Sequence, residues 1–273
     1  MTDTSKKIKR EIVARGLQVV TTSQFGRAVN AGLDIVFPPQ PLWMRLKADN
    51  QSALHMIDDP QCGICGFPFP YDLGAGALCG NCSTRPPAYD HARAAFIYDD
   101  FSRGPILSFK HGGHTHGLRV FARQLQRAGR QFLGDTDFII PVPLHPRRLR
   151  KRRFNQAALL GRALSRLSSV PQDSQSLLRV KPTDSQDGKS ASGRRRNMQG
   201  AFAVPEARRE ILSGKNVILV DDVLTTGATA EACARTLKRA GAARVVALSL
   251  ARVIREERRG EMMGKSDALY TIM

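Results

Sequence analysis

The sequence contains few aromatic residues, few cysteines and no long apolar run. Aromatic residues are 6% of the 273 residues, and five cysteines are too few for a disulfide-rich secreted protein. The apolar stretches are shorter than the ~20 residues that cross a bilayer. The beginning of the chain, KKIKR followed by further charged residues, does not match a signal peptide. We therefore expect no membrane span and a cytoplasmic location.

Acidic residues are also few, and this leaves a large positive charge. Lysine and arginine total 42 against 24 aspartates and glutamates, which gives a formal net charge of +18. Such an excess attracts polyanions, whether nucleic acid, acidic membranes or phosphorylated metabolites. With 42% hydrophobic residues, the chain has the composition of a globular protein and the length for one large domain and a small one.

Four of the five cysteines form two CxxC pairs within CGICGFPFPYDLGAGALCGNC. Each pair puts two thiolates on one side of a tight turn, and four thiolates complete a tetrahedral Zn²⁺ shell without an open position. The alternatives are four unrelated thiols or redox pairs, but a redox CxxC usually occurs singly at the start of a helix. The spacing thus favours a structural Zn²⁺ site formed by Cys62, Cys65, Cys79 and Cys82.

Apolar patterns beyond residue 90 predict alternating strands and helices. Continuous apolar stretches at 92–100, 137–144, 216–222 and 243–252 are typical of buried strands. Helical periodicity predicts a helix over 117–128 closed by Gly129, another ending near 168, and a third over 228–240. Residues 181–200 lack apolar periodicity and are expected to form a long polar loop. Strands that alternate with helices in this way predict an α/β fold with a parallel sheet covered on both faces.

The stretch VILVDDVLTTGAT (217–229) ends an apolar strand with two carboxylates and then enters a small polar loop. Ligands of open parallel sheets bind at the carboxyl ends of the strands, where Asp221 and Asp222 are expected. The loop offers hydroxyls, a glycine and consecutive N–H groups at the start of a helix, which together favour a phosphate. Carboxylates beside a phosphate must face hydroxyls or a metal ion, so the pattern indicates a ribose 5-phosphate with Mg²⁺. The spacing excludes both the P-loop and the GxGxxG fingerprint.

At this stretch the sequence resembles type I phosphoribosyltransferases, which bind phosphoribosyl pyrophosphate (PRPP). Two further segments, PVPLHPRRLRKRRFNQ (141–156) and RVKPTDSQDGKSASGRRRNMQGAF (179–202), together with the cysteine segment, resemble the ComF family. These are phosphoribosyltransferase-like proteins linked to DNA uptake in naturally competent bacteria. The similarity covers residues 62–252, with Arg153 where glycine is usual.

The resemblance implies a fold and a set of site residues. The fold is the type I phosphoribosyltransferase-like α/β fold, with a parallel sheet flanked by helices and a small N-terminal zinc ribbon. Asp221 and Asp222 would hold the ribose hydroxyls as the catalytic pair, and residues 181–200 would form a mobile lid. The resemblance implies that the pyrophosphate is bound by Arg147, Arg148 and Lys110. It implies that the 5′-phosphate is bound by Thr225, Thr226, Gly227, Ala228 and Thr229.

Basic runs such as RRLRKRR (147–153) carry more charge than one pyrophosphate requires. The excess indicates a longer polyanion, and the family's link to DNA uptake makes single-stranded DNA the candidate. Few aromatic side chains lie in these runs to stack on bases, so a solvated basic face is the alternative. The candidate DNA-binding residues are Arg150, Lys151, Arg152, Arg153, Arg194, Arg195 and Arg196.

The sequence predicts four segments and leaves two functions open. The segments are a helical N-terminal extension (1–60), the zinc ribbon (61–90), the phosphoribosyltransferase-like domain (91–255) and a polar, basic tail (256–273). The first function is Mg²⁺-dependent transfer of a phosphoribosyl group from PRPP to an acceptor that the sequence does not identify. The second is handling of single-stranded DNA in competence, with a regulatory or vestigial PRPP site.

Overall fold

The computed structural model describes residues 54–112, 117–182, 198 and 200–254, and of residues 110–112 and 151 only the backbone. All of these residues belong to one compact unit that begins at Leu42. Several predictions lie outside the described residues: the N-terminal extension up to residue 53, residues 183–197 of the lid segment, the C-terminal tail, and Arg194, Arg195 and Arg196.

Strands and helices alternate along the described chain, as the apolar patterns predict. The strands are β1 (His91–Ile97), β2 (Phe138–Pro141), β3 (Leu178–Arg179), β4 (Phe202–Ala203), β5 (Asn216–Leu224) and β6 (Arg244–Arg252). The helices are α1 (Gly80–Thr84), α2 (Asp100–Gly112), α3 (Leu118–Leu133), α4 (Pro146–Arg152), α5 (Gln156–Ser168), α6 (Arg209–Leu212) and α7 (Ala228–Arg239).

Four of these strands form one parallel sheet in the order β1-β6-β5-β2. Strand β5 is central, with Val217 opposite Val245 of β6 and Ile218 opposite Ile139 of β2. The short strands β3 and β4 pair antiparallel in a separate two-stranded ribbon. The predicted α/β fold with a parallel sheet flanked by helices is thereby confirmed.

Both faces of the sheet are buried, and successive residues of β5 pack on opposite faces. Val217 and Leu219 join an apolar core with α7 and the four cysteines, whereas Ile218 and Val220 join a second core with α2, α3 and α5. Side chains of a strand alternate between the two sides of a sheet, so a strand covered on both sides needs an unbroken apolar run. This requirement explains the sequence VILV.

Gly129 lies inside α3 instead of ending it, so the predicted end of this helix is wrong. The helix continues to Leu133, and Gly129 is one of its buried residues. A Cβ added at Gly129 would lie 2.8 Å from Cδ2 of Leu248 in β6. The glycine therefore allows the helix to lie close to the sheet. The packing gained in this way outweighs the low helix propensity of glycine.

Several strand boundaries also differ from the prediction. Strand β2 has four residues and ends at Pro141. Strand β5 continues to Leu224, two residues beyond the predicted end at residue 222, and Asp221 pairs with Ser249 of β6. The apolar run ends at Val220, but the hydrogen-bonded ladder does not.

Candidate ribose phosphate site and cysteine centre

Asp221 and Asp222 are half-buried at the carboxyl end of the sheet. The Oδ1 atom of Asp221 accepts a hydrogen bond of 2.9 Å from the backbone N–H of Asp222. Because successive side chains of a strand point to opposite sides, the ladder fixes the directions of the two carboxylates relative to each other. A pair of carboxylates held in this way can accept hydrogen bonds from hydroxyl groups or coordinate a cation.

The loop that follows β5 leads directly into α7. Gly227 is the N-cap of this helix and has a φ of +76°, a left-handed conformation that favours glycine. Thr225 is exposed, and Ala228 and Thr229 form the first turn of the helix. The Oγ1 atom of Thr226 is buried and has no hydrogen-bond partner among the described residues. The first N–H groups of a twelve-residue helix have no partner within the helix, and together with a buried hydroxyl they make this loop a fitting anion site.

One arginine of helix α4 lies near Asp222, and a second lies near the first. Arg148 and Arg152 are half-buried and four residues apart, which places them on the same face of the helix. Burial, together with the charge of Arg148, lowers the pKa of Arg152, while the charge of Asp222 opposes this effect. Arg152 is therefore close enough to both Arg148 and Asp222 to interact with them electrostatically.

Arg179 of β3 is a third cation at this place, and the sequence analysis did not select it. Its guanidinium stacks over the ring of Phe202, 5.5 Å from the ring centre. Burial and the charge of Arg148 lower its pKa, and the charge of Asp221 opposes them. The only signal in the sequence is that Arg179 begins the segment RVKPTD, which resembles the family pattern. Its proximity to Asp221 arises from the β3–β4 ribbon.

The other described arginines of the basic run lie on the protein surface. Arg147, Arg150 and Arg153 are exposed, so they form the outer face of α4. Arg153 ends the helix with a φ of 65°, in the left-handed region. This conformation gives a physical reason for a glycine at this position. The side chains of Lys110 and Lys151 lie outside the described residues.

Asn155 connects the loop after β2 to α5. Its side chain accepts a hydrogen bond of 3.0 Å from the N–H of Ala157, as an N-cap, and donates one of 3.0 Å to the carbonyl of Val142. The next residue, Gln156, is buried. The FNQ motif is thus a structural element that fixes the segment carrying α4.

The four cysteines of the two CxxC pairs meet in one buried cluster. Their Sγ atoms all lie within 4.8 Å of one another, and those of Cys65 and Cys79 are 3.6 Å apart. A disulfide would require about 2.0 Å, whereas Zn–S bonds of about 2.3 Å place tetrahedral thiolates about 3.8 Å apart. The hydrogen bond with Cys65 lowers the pKa of Cys79 to about 4. The cluster therefore has the geometry and the donor set of a tetrathiolate metal site.

No helix in the described part of the chain is both long enough and apolar enough to cross a membrane.

Cys233, the fifth cysteine, is completely buried in α7. Burial raises the pKa of its thiol well above the ordinary value. This thiol is thus part of the apolar core.

Comparison with known proteins identifies the domain and its relatives. Residues 167–267 match the phosphoribosyl transferase domain family. Competence protein F of Haemophilus influenzae is 35% identical over 71% of this chain and 85% of its own. The DNA utilization protein YhgH of Escherichia coli strain K12 is 32% identical over 72% of this chain and 86% of its own. Competence protein ComFC of Bacillus subtilis is 29% identical over 71% and 78%, respectively.

Solved structures of phosphoribosyltransferases also align with the chain. An adenine phosphoribosyltransferase shares 18% identity with a TM-score of 0.34, covering 60% of this chain and 82% of that protein. Adenine phosphoribosyltransferase from Saccharomyces cerevisiae gives 19% identity and a TM-score of 0.31, covering 57% and 84%. The domain match and the extent of identity with competence protein F lead to one conclusion: this chain belongs to the ComF family, with a type I phosphoribosyltransferase-like fold and a four-cysteine cluster ahead of it.

Proposed function

We propose that the protein binds PRPP with Mg²⁺ at the carboxyl end of β5 and transfers its phosphoribosyl group to an acceptor. The observation that carries the proposal is the meeting of three kinds of group: the acidic pair, the N-terminus of α7 and the inward arginines of α4 and β3. PRPP has vicinal hydroxyls, a phosphate and a pyrophosphate, and thus a partner for each. Membership of the ComF family supports the same class of ligand.

Each part of the site has a role in this proposal. Asp221 and Asp222 accept hydrogen bonds from the ribose hydroxyls. The N–H groups after Gly227 and the hydroxyl of Thr226 donate to the 5′-phosphate, which the dipole of α7 also stabilises. Arg148 and Arg152 bind the pyrophosphate, and the role of Arg147 stays a prediction.

The proposed reaction is a substitution at ribose C1. An acceptor atom forms a bond to C1 while the C1–O bond to pyrophosphate breaks, and pyrophosphate leaves with the bonding electrons; a proton on the acceptor passes to water. Mg²⁺, when bound, neutralises charge on the pyrophosphate. The arginines stabilise the negative charge that grows on the leaving group, and the carboxylates stabilise the positive charge on the ribose. The chain therefore contributes to the reaction by positioning the reactants and by stabilising the charges that develop on them.

Calorimetric titration of PRPP and Mg²⁺ into zinc-loaded protein tests the proposal. We expect binding to the wild type and none to the Asp221→Ala/Asp222→Ala variant. The matched control is Glu206→Ala/Glu210→Ala, which removes two exposed carboxylates before β5, at the opposite end of that strand. Binding by the control and not by the site variant supports a specific role of the acidic pair. Equal affinity of all three proteins would contradict it.

We propose Zn²⁺ as the ion of the cysteine cluster. Four buried Sγ atoms within 4.8 Å of one another fit a closed tetrahedral shell, which leaves no position for a substrate. The role of the ion is therefore structural. Zinc content of the purified protein, measured by mass spectrometry, tests this assignment.

A second candidate function is binding of single-stranded DNA by the outer face of α4. Arg147, Arg150 and Arg153 are exposed, and the PRPP proposal does not use them. Cations on one face attract a phosphodiester chain, with affinity that falls steeply as salt rises. Fluorescence anisotropy of a labelled oligonucleotide at several salt concentrations tests this function.

A further inference from the structure

The cysteine cluster and the loop after β5 share one buried core. The four cysteines belong to the same apolar cluster as Tyr89, Leu224 at the end of β5, and Ala228 and Ala230 in the first turns of α7. A separate zinc ribbon on a flexible linker would bury its own small core. Here the metal ligands and the candidate phosphate loop are packed through common neighbours, so a change at one can reach the other.

Two guanidinium groups flank the cluster. Arg93 is buried, and its Nη1 atom donates to the carbonyls of Ala92 at 2.8 Å and Gly63 at 3.4 Å. Arg252 donates from Nη1 to the carbonyl of Cys65 at 2.5 Å and from Nη2 to its Sγ at 3.6 Å. A zinc ion with four thiolates carries two excess negative charges, and two arginines balance them. Compensation of this kind is needed where charge is taken out of water.

Only one of these arginines is tied to the loop. Arg252 is the last residue of β6 and pairs with Leu224, the last residue of β5, in the parallel ladder. The N–H of the next residue, Val253, donates to the carbonyl of Leu224 at 2.9 Å. The loop begins at the residue after Leu224. Arg93 lies on β1 and has no hydrogen bond to the described residues of this loop.

Tyr89 makes a second connection. Its side chain is buried, and a Cβ added at Gly227 would lie 3.3 Å from its hydroxyl oxygen, so the hydroxyl packs closely over the N-cap of α7. The ring thus fills the space between the cysteine cluster and the glycine of the loop.

We propose that Arg252 and Tyr89 are positioning residues through which the metal-loaded cysteine centre holds the loop 225–229 in its ligand-binding form. Without the metal, the four ligands are no longer tied to one another, and the contacts of Arg252 with the carbonyl and the Sγ of Cys65 are no longer fixed. The end of β6 then loosens, and with it Leu224 and the loop. For the identity of the ligand this inference rests on the proposed function, but the effect on the loop does not.

Hydrogen exchange measured by mass spectrometry tests the effect on the loop without any ligand. Full-length wild type is compared with zinc loaded and after removal of zinc by a chelator. We expect faster exchange in 222–230 and in the cysteine segment, with α5 unchanged. Unchanged exchange in 222–230 would overturn the inference. An equal loss of protection in α5 would also overturn it, because the metal would then stabilise the whole fold instead of the loop.

Matched variants separate charge compensation from positioning. In zinc-loaded protein, Arg252→Met is expected to weaken PRPP binding about 10-fold, with partial recovery in Arg252→Lys. Arg93→Met removes the other guanidinium and is expected to release zinc faster to a chelator while keeping PRPP affinity as long as zinc is bound. Equal effects of Arg252→Met and Arg93→Met on PRPP affinity would contradict positioning by Arg252. If the wild type binds no PRPP, the proposed function fails, and hydrogen exchange still decides the inference.

Discussion

The hydroxyl of Tyr89 and the α-carbon of Gly227 are in such close contact that a side chain at position 227 would lie 3.3 Å from the hydroxyl oxygen. Gly227 also has a φ of +76°. Space and backbone conformation therefore demand the same residue at the point where β5 turns into α7. The TTGAT motif thus has a structural reason for its glycine that is independent of any ligand.

Gly227→Ala is expected to weaken PRPP binding and to lower the free energy of unfolding by about 1–2 kcal/mol, the strain of a left-handed residue with a Cβ. Gly214→Ala is the matched control, since Gly214 has a φ of +70° but nothing within 4 Å of an added Cβ. Urea unfolding and calorimetry measure the two effects. Normal PRPP affinity in Gly227→Ala would show that the loop is not the phosphate site.

Arg152→Gln is expected to weaken PRPP binding about 10-fold or more, because a charge-assisted contact to phosphate contributes about 1.5–3 kcal/mol. Arg150→Gln, on the outer face of the same helix, removes the same charge and is expected to leave PRPP affinity unchanged. Titration of PRPP into both variants compares them. A greater loss of PRPP affinity in Arg150→Gln would contradict the proposal, which requires Arg152 and not Arg150 to contact PRPP.

The same two variants give the opposite order with single-stranded DNA. Arg150→Gln is expected to reduce the slope of log affinity against log salt by about 0.7, the value for one phosphate contact. Arg152→Gln is expected to leave the slope unchanged, since Arg152 faces the acidic pair. Anisotropy titrations at three salt concentrations measure the slopes. Equal slopes in wild type and Arg150→Gln would contradict the proposal that this face binds DNA.

Cys79→Ser is expected to lower the zinc content of the purified protein and its thermal stability, because a structural zinc site contributes directly to folding. Cys233→Ala is the control, since it removes a buried thiol that is not part of the cluster. Mass spectrometry of the intact protein counts the bound ions. A full zinc content in Cys79→Ser would mean that the ligands lie elsewhere.

Arg153→Gly is expected to raise the free energy of unfolding by about 1 kcal/mol, because it removes the left-handed strain of a residue with a Cβ. Ser169→Gly tests the same backbone effect at the end of α5, where φ is 61°. Both changes are followed by urea unfolding. Stabilisation by Ser169→Gly but not by Arg153→Gly would show that the Arg153 side chain makes a contact that offsets its strain.

Local patterns predicted the elements well and their ends less well. The predicted strand 216–222 includes both aspartates, but the ladder of β5 extends two residues further, to Leu224, because the neighbouring strand β6 continues to Arg252. Gly129 resembles a helix stop by composition alone. It is retained inside α3 because Leu248 occupies the space of the missing side chain.

The sequence predicted only the part of the candidate site that lies within one continuous segment. Asp221, Asp222 and the loop after them are adjacent in the sequence, so their chemistry could be inferred together. Arg179 is distant in the sequence from Asp221, and neither its spacing nor its neighbours indicate that the β3–β4 ribbon brings the two within electrostatic range. The division of α4 into inward and outward arginines likewise depends on what the helix packs against.

The sequence by itself determined the alternation of strands and helices, the four cysteines of the candidate metal site and the acidic strand with its glycine loop. Each of these rests on residues that are neighbours along the chain or repeat with a local period. Only the tertiary structure decided which arginines face the aspartates, and that the cysteine cluster and the loop share one core through Tyr89 and Arg252. Those relationships join segments far apart in the chain, and they exist only once the parallel sheet has brought the ends of β5 and β6 together.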